Sequence, residues 1–204
     1  PADATPIERS ETELVALDRQ GHERSRKRVP TPRGEYGATV KTVTALVGEC
    51  EEALGTQGTV GVGIPGALSL ATGRIKNANS TCLIGRPFKQ DLEQALAREV
   101  RMANDANCFA LSEATDGAGR DARLVFGGVL GTGVGGGVVV GGRVLTGPNA
   151  IAGEWGHNPL PLPRESDLPL PSCYCGRLAC IEAYLSGPSL ARDAGVGIEA
   201  PQIV

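Results

Sequence analysis

No stretch of about eighteen or more consecutive apolar residues, the length a membrane-spanning helix needs, occurs in the chain. Its first residues carry neither the basic flank nor the apolar segment of a secretory leader. The expectation is a soluble, cytoplasmic protein. An excess of positive charge is missing too. Lys and Arg number 20 against 23 Asp and Glu, for a net charge of -3, which argues against a surface that wraps nucleic acid or lies on an acidic membrane. The one basic run, Arg24 to Arg28, reads as a solvated strand end. No helix-turn-helix with basic recognition residues is read ahead of Thr12, so a DNA-binding repressor is not the expected reading. What is present is apolar material, 41% of 204 residues, enough for the core of one domain or two small lobes.

Histidine is scarce as well, and one of the two, His157, stands 16 residues before Cys173. That cysteine opens the run Cys173-Tyr174-Cys175-Gly176-Arg177-Leu178-Ala179-Cys180. A lone histidine is usually a satisfied surface or core residue, but one imidazole and three thiols within 24 residues make a complete tetrahedral ligand set for zinc. Cys50, Cys82 and Cys108 are scattered singly, so the clustering favours a metal in a reducing cytosol over a disulfide framework. Glu154 and Glu182 flank the ligands, so a structural Zn2+ here would shape something chemical.

The order of elements follows from periodicity and breakers. Thr12 to Leu17 reads as a strand, Asp18 to Gly21 as a turn, and a second extended piece ends at Val29 before Pro30 and Pro32. Between Tyr36 and Leu54, apolar residues at spacings of three and four (Val40, Val43, Leu46, Val47, Cys50, Leu54) predict a helix that Gly55 ends. A strand over Thr59 to Ile64 and a hairpin over Leu68 to Ile75 come next. Helices are expected over Asp91 to Val100 and Ala106 to Ala114, with the polar corner Asn104-Asp105 between them. Two strands, Arg123 to Leu130 and Gly137 to Val140, are joined by the glycine run, and Gly141-Gly142 turns the chain towards Val144-Leu145. The proline-rich segment Pro159 to Pro171 reads as a loop, and Cys180 to Leu190 as the start of a helix. Strands with interleaved helices, and a pattern that restarts after Gly119, predict an α/β protein of two related lobes with a cleft.

Three constellations carry chemistry. The run Gly131-Thr132-Gly133-Val134-Gly135-Gly136-Gly137 has five glycines in seven residues. Its unobstructed amides fit either a phosphate cradle or a tight hairpin. No Lys-Ser/Thr follows, so it is not a Walker loop, and a strand rather than a helix comes next, so it is not a dinucleotide fingerprint. Asp105, at the mouth of an apolar helix, fits a capping carboxylate or the base that accepts the proton of an attacking hydroxyl. Glu154 and His157 lie three apart, so both can face one cavity, with the carboxylate accepting hydroxyl hydrogens of a polyol. One imidazole nitrogen can bind zinc while the other reaches a ligand, and Glu182 is held close to the same cavity. Trp155, between them, reads as packing.

Six stretches, in this order, resemble the motifs of the bacterial ROK sugar kinases, most closely the fructokinase branch. They are Gly63-Ile64-Pro65-Gly66, Lys76-Asn77-Ala78-Asn79-Ser80, Asn104-Asp105-Ala106-Asn107-Cys108, the glycine run, Gly153-Glu154-Trp155-Gly156-His157-Asn158-Pro159-Leu160-Pro161, and Cys173-Tyr174-Cys175-Gly176. The match runs from about Thr12 to Pro188. The resemblance implies an α/β, actin-like ATPase fold of the ribonuclease H-like kind. Its lobes would be 1–118, with the sugar side and catalytic aspartate, and 119–204, an incomplete lobe with the ATP phosphate loop and zinc site. It implies transfer of the γ-phosphoryl of Mg2+-ATP to a hexose, with D-fructose favoured. Glucose, mannose and N-acetylglucosamine differ by only one or two groups.

Carried over residue by residue, Asp105 would be the general base. Asn104, Asp105, Glu154, His157 and Glu182 would hold the sugar, with Gly66 and Asn79 lining its side. Gly131, Thr132, Gly133, Gly135, Gly136 and Gly137 would contact the ATP phosphates. His157, Cys173, Cys175 and Cys180 would bind Zn2+. The expected partners are the hexose and ATP, without nucleic acid or membrane, and a homodimer is compatible with the resemblance. Three departures stand out. Where the family has an Asp-x-Gly-Gly-Thr-Lys-like phosphate loop, this chain reads Pro6-Ile7-Glu8-Arg9-Ser10-Glu11, whose acids would repel a triphosphate. The family's closing C-terminal part is missing between Pro1 and Val204, so a fragment, a damaged gene product, a frame error or a sugar-binding chain without ATP chemistry is expected beside the active kinase. Ala179 stands where the family favours glycine, so its turn is expected to be mildly strained.

Overall fold

The structure is a computed structural model, and it describes residues 11–78 and 80–195. Asn79 and most of the run Pro6 to Glu11 lie outside the described residues. The chain divides into two compact units, Pro1–Ala103 and Asn104–Val204.

The first unit opens with an antiparallel hairpin, β1 (Glu11–Leu17) and β2 (Glu23–Pro30). The basic run lies in β2, and two of its arginines are paired across the ladder. Arg26 and Arg28 both reach Glu13, at 2.8 and 3.0 Å, and Arg28 also reaches Glu11 at 3.2 Å. Helix α1 (Tyr36–Leu54) has the span its periodicity predicts. It ends where Gly55 turns into the left-handed region at φ 63°, its N–H bonding back to the carbonyls of Glu51 and Glu52. Strand β3 (Val60–Ile64) pairs with β6 (Val100–Asn104), and the short strands β4 (Ala67–Leu68) and β5 (Ile75–Lys76) form the expected hairpin.

Helix α2 covers Phe88–Leu96, not Asp91 to Val100. Ala97 enters the left-handed region at φ 53° and ends it, and Val100 is buried on a strand instead. An apolar residue four after Leu96 satisfied the helical period, but the sheet took it. The core gathers Ile64, Ile75, Ala78, Leu83, Phe88, Leu92 and Val100, with Tyr36, Val40 and Val43 packed against it.

The second compact unit begins at Asn104. The reason is packing: α3 (Asp105–Thr115) lies on the antiparallel strands β7 (Leu124–Leu130) and β8 (Val134–Val140). The close approach depends on Gly137, where a Cβ would stand 2.7 Å from the Ala106 carbonyl oxygen. Strand β9 (Arg143–Val144) completes a sheet of order β7-β8-β9. The helix expected over Cys180 to Leu190 is two, α4 (Glu182–Leu185) and α5 (Gly187–Ala194). The chain is extended at Ser186, two residues before Pro188, which cannot continue a helical hydrogen-bond ladder. Among the described residues, no helix is long and apolar enough to cross a membrane.

Candidate active site

The first carboxylate is placed by a helix cap, and the cap is its neighbour. Asn104 leaves β6 in an extended conformation, and its side chain accepts the Asn107 N–H at 3.1 Å. This satisfies one of the amides that every helix leaves open at its start. Asp105 is therefore not the cap. It occupies the first helical position, where Oδ1 accepts the Ala106 N–H at 2.8 Å. Its side chain reaches the surface, yet crowding at the carboxyl raises its pKa above the ordinary aspartate value, and the Ala106 amide opposes the shift.

The glycine run is not one loop. Only Gly131-Thr132-Gly133 forms the turn, with the Gly131 N–H bonded to the Gly133 carbonyl at 2.9 Å, while Val134 to Gly137 already belong to β8. Across the ladder, Gly135, Gly136 and Gly137 face Val129, Gly128 and Gly127. Bare backbone here serves close packing, since a Cβ at Gly136 would stand 2.8 Å from the Gly153 carbonyl oxygen. The segment carrying Glu154 and His157 thus lies directly on β8. Trp155 pins it there, donating its indole N–H to the Gly135 carbonyl at 2.6 Å and meeting Phe126 edge to face at 6.0 Å. The tryptophan read as packing is also a hydrogen-bonded clamp. Gly156 completes the fit, because a Cβ there would fall inside the van der Waals shell of the Val134 carbonyl oxygen.

Glu182 locks the arrangement. It is buried, its carboxylate accepts the Val134 N–H at 2.8 Å, and its own N–H donates to the Gly156 carbonyl at 2.8 Å. Glu154 lies beside β8, and a Cβ at Gly135 would be 3.7 Å from its Oε2. Although its side chain is open to solvent, desolvation at the carboxyl raises its pKa. The charges of Asp105 and Glu182 add to the shift, and His157 opposes it. Glu154 thus lies within electrostatic reach of both Asp105 and Glu182.

The four candidate ligands converge. One donor atom from each of His157, Cys173, Cys175 and Cys180 lies within 4.8 Å of all the others. Cys175 and Cys180 bring their sulfurs to 3.5 Å, and Cys173 Sγ is 3.5 Å from His157 Nδ1. Tetrahedral zinc with its usual thiolate bonds separates sulfurs by about 3.8 Å, so both spacing and donor chemistry fit. A turn presents two of the thiols, with the Cys173 N–H donating to the Arg177 carbonyl and the Gly176 N–H to the Cys173 carbonyl. Cys180 is buried beside the bridge it makes with Pro159. Ala179, just before it, is held at φ 54°, the left-handed conformation expected to be strained without glycine.

The structure therefore brings together Asn104, Asp105, Glu154, His157, Glu182, the glycine turn and the three cysteines in the second unit. Gly66 is in the first unit, at φ 97° and pressed against Lys76 and Ala78, and Asn79 is not among the described residues. Sequence reasoning missed Tyr174, whose hydroxyl is 3.1 Å from His157 Nε2. Its position between two candidate ligands was the available signal. The Val134 amide, held by Glu182, left no side-chain signal at all.

The chain has the actin-like ATPase fold of ROK sugar kinases, as its likeness to solved members of that family shows. A ROK hexokinase from Thermus thermophilus superposes with a TM-score of 0.73 at 34% identity, over 92% of this chain and 61% of that one. A ROK family glucokinase from Streptomyces griseus, solved in complex with glucose and AMPPNP, gives 0.75 at 30% identity, over 91% and 57%. A sequence model of the ROK family matches residues 7–201, and the chain belongs to that family. An N-acetyl-D-glucosamine kinase of Salmonella paratyphi A is 47% identical over 186 residues, 87% of this chain and 61% of the relative. The chain thus spans about three fifths of the length of that relative.

Proposed function

We propose that the chain belongs to an ATP-dependent hexose kinase in which Asp105 accepts the proton of the attacking sugar hydroxyl. The observation that carries this is the division of labour at the start of α3. Asn104 does the capping at the Asn107 N–H, Asp105 takes the Ala106 N–H on Oδ1, and the raised pKa of its carboxyl makes it a better base than an ordinary aspartate. Glu154, His157 and Glu182 hold the sugar, and the exposed turn Gly131-Thr132-Gly133 meets the ATP phosphates. Mg2+ supplies charge neutralisation at the transferred group when bound. His157, Cys173, Cys175 and Cys180 hold a structural zinc that braces the sugar side. Gly66 and Asn79 keep their expected sugar-side roles in this reading.

The relative's name supports N-acetyl-D-glucosamine as the hexose in place of the fructose that the motifs favoured. Loops around one or two sugar substituents decide between hexoses, and motifs shared across a family do not record that choice. Calorimetry with N-acetylglucosamine, fructose and ATP, together with a phosphoryl-transfer assay, tests the proposal. Asp105→Asn should lower transfer by about 10²- to 10⁴-fold while leaving hexose affinity nearly unchanged. Retained transfer would remove Asp105 from the role of base. The run Pro6 to Glu11 favours a second reading, a chain that binds hexose without ATP chemistry, and sugar binding without nucleotide binding is its signature.

A further inference from the structure

We propose that the start of α5 positions the phosphate turn: the Gly187 N–H, aimed by the buried hydroxyls of Ser186 and Ser189, holds the Gly131 carbonyl and presets the turn for ATP. The inference rests on the phosphate reading of Gly131-Thr132-Gly133 given above.

A serine that precedes a helix ordinarily folds its hydroxyl back onto an amide of the first turn. Ser186 precedes α5 and makes no such bond. Its hydroxyl donates instead to Ser189 Oγ at 2.9 Å, and Ser189 Oγ donates to the Glu182 carbonyl at 3.3 Å. The Ser186 N–H reaches the same carbonyl at 3.1 Å, so both lone pairs of one oxygen are filled from one short segment. Both serines are buried, where a hydroxyl that lost its partner would be costly. The relay therefore fixes residues 182–189 as one piece.

That piece sends a donor to the turn. The first amides of a helix have no partner inside it, and Pro188 carries no N–H at all. The Gly187 N–H donates to the Gly131 carbonyl at 2.7 Å. A trans peptide points its C=O and its N–H in opposite directions, so a fixed Gly131 carbonyl also fixes which way the Thr132 amide faces. Two glycines in three residues would otherwise leave the turn many conformations to give up on meeting a phosphate, and ordering it beforehand removes that loss. The exit of the turn is held separately, at the Val134 N–H.

Gly187→Pro removes the N–H with the backbone already suited to it. Ser186 is extended, at φ -68° and ψ 152°, as a residue before proline should be, and proline is favoured at the first position of a helix. Ser189→Ala breaks the relay instead. Calorimetry on the full chain should show ATP bound about tenfold more weakly by Gly187→Pro and about threefold more weakly by Ser189→Ala, the range for one hydrogen bond. Affinity for N-acetylglucosamine should be unchanged in both, whereas a merely structural role would weaken sugar and nucleotide alike. Parent-like ATP affinity in Gly187→Pro overturns the inference and leaves the phosphate reading standing. Equal loss of both ligands overturns it too. If the parent binds ATP but no hexose, the urea midpoint replaces the sugar arm: ATP affinity lost with the midpoint intact supports the inference, and loss of both overturns it. If the parent binds no ATP, the phosphate reading fails and the inference with it.

Discussion

Leu92, Phe88 and Val100 fill the first unit with large side chains, whereas Ala106, Ala110, Ala150 and Cys180 are typical of what the second unit buries. The exposed large hydrophobics divide the opposite way. Among the described residues, Val15, Leu17, Leu70 and Ile84 belong to the first unit and the other thirteen to the second. One unit is held by apolar burial, which is non-directional and tolerant of exact position. The other is held by backbone pressed on backbone at Gly136, Gly137 and Gly156, and by directed bonds from Trp155 and Glu182. The difference teaches why the candidate site is where it is. Carboxylates and thiols need fixed geometry, and close backbone contact with hydrogen bonds supplies it better than packed aliphatic chains.

The sharpest way to break this contrast is a pair of alanine variants. Leu92→Ala should cost about 2–5 kcal/mol, the usual range for emptying a fully buried leucine site. Gly156→Ala adds a single methyl and should cost about 3 kcal/mol or more, because the obstacle is a strand carbonyl that cannot yield without parting β8 from the loop. Denaturant unfolding measures both, and Trp155, the only tryptophan, reports the second unit. A Gly156→Ala protein as stable as its parent would end the account of backbone packing.

Next in size is metal removal. At a zinc concentration a hundredfold above its dissociation constant, binding contributes about 2.7 kcal/mol to whatever unit holds it. Chelation should therefore lower the Trp155 unfolding midpoint. An unchanged midpoint would show that the cluster stands without metal.

A smaller gain is expected from Ala179→Gly. Relief of the left-handed conformation is worth about 1–2 kcal/mol, and the looser unfolded chain takes back about 0.4–1 kcal/mol, leaving about 1 kcal/mol of added stability. Equilibrium unfolding of the variant checks it, and a loss of stability would mean that the Ala179 methyl contributes packing that outweighs the strain.

The smallest effect is a pH dependence. Asp105 and Glu154 have raised folded-state pKa values, so the folded chain holds their protons more tightly than the unfolded chain does. Their favourable contribution is complete below the ordinary values of 3.8 and 4.5 and is lost as pH rises through the raised folded values. Asp105→Asn and Glu154→Gln should therefore be more stable than the parent at neutral pH and lose that advantage in acid. Both groups are open to solvent, so screening keeps the difference small. A variant less stable than the parent at neutral pH would reverse the sign and place a cation beside the carboxylate.

Much of this was legible in the chain. The span of α1 followed from apolar spacings of three and four and from Gly55, because helix periodicity and a left-handed terminator are both local properties. The convergence of His157 with the three cysteines followed from donor chemistry, which is unusual enough that spacing alone carries it. The strained turn at Ala179 followed from one residue type in a position that wants glycine. Val100 was not legible, since an apolar residue four after another fits a helix until a sheet claims it. Gly135 and Gly136 were not legible either, because an open loop and a crowded strand both require missing side chains.

The sequence by itself thus determined the family, the identities of the donor and acid groups, and the local elements that carry them. Only the tertiary structure decided which group does what. It made Asn104 rather than Asp105 the cap, turned Gly135 to Gly137 into a packing surface, and placed the Tyr174 hydroxyl on His157. The physical reason is that residue type and spacing act along the chain, while hydrogen-bond partners and close backbone contacts are chosen by neighbours brought together from distant positions. Glu182 and Val134, 48 residues apart and 2.8 Å from bonding atom to bonding atom, are the plainest case.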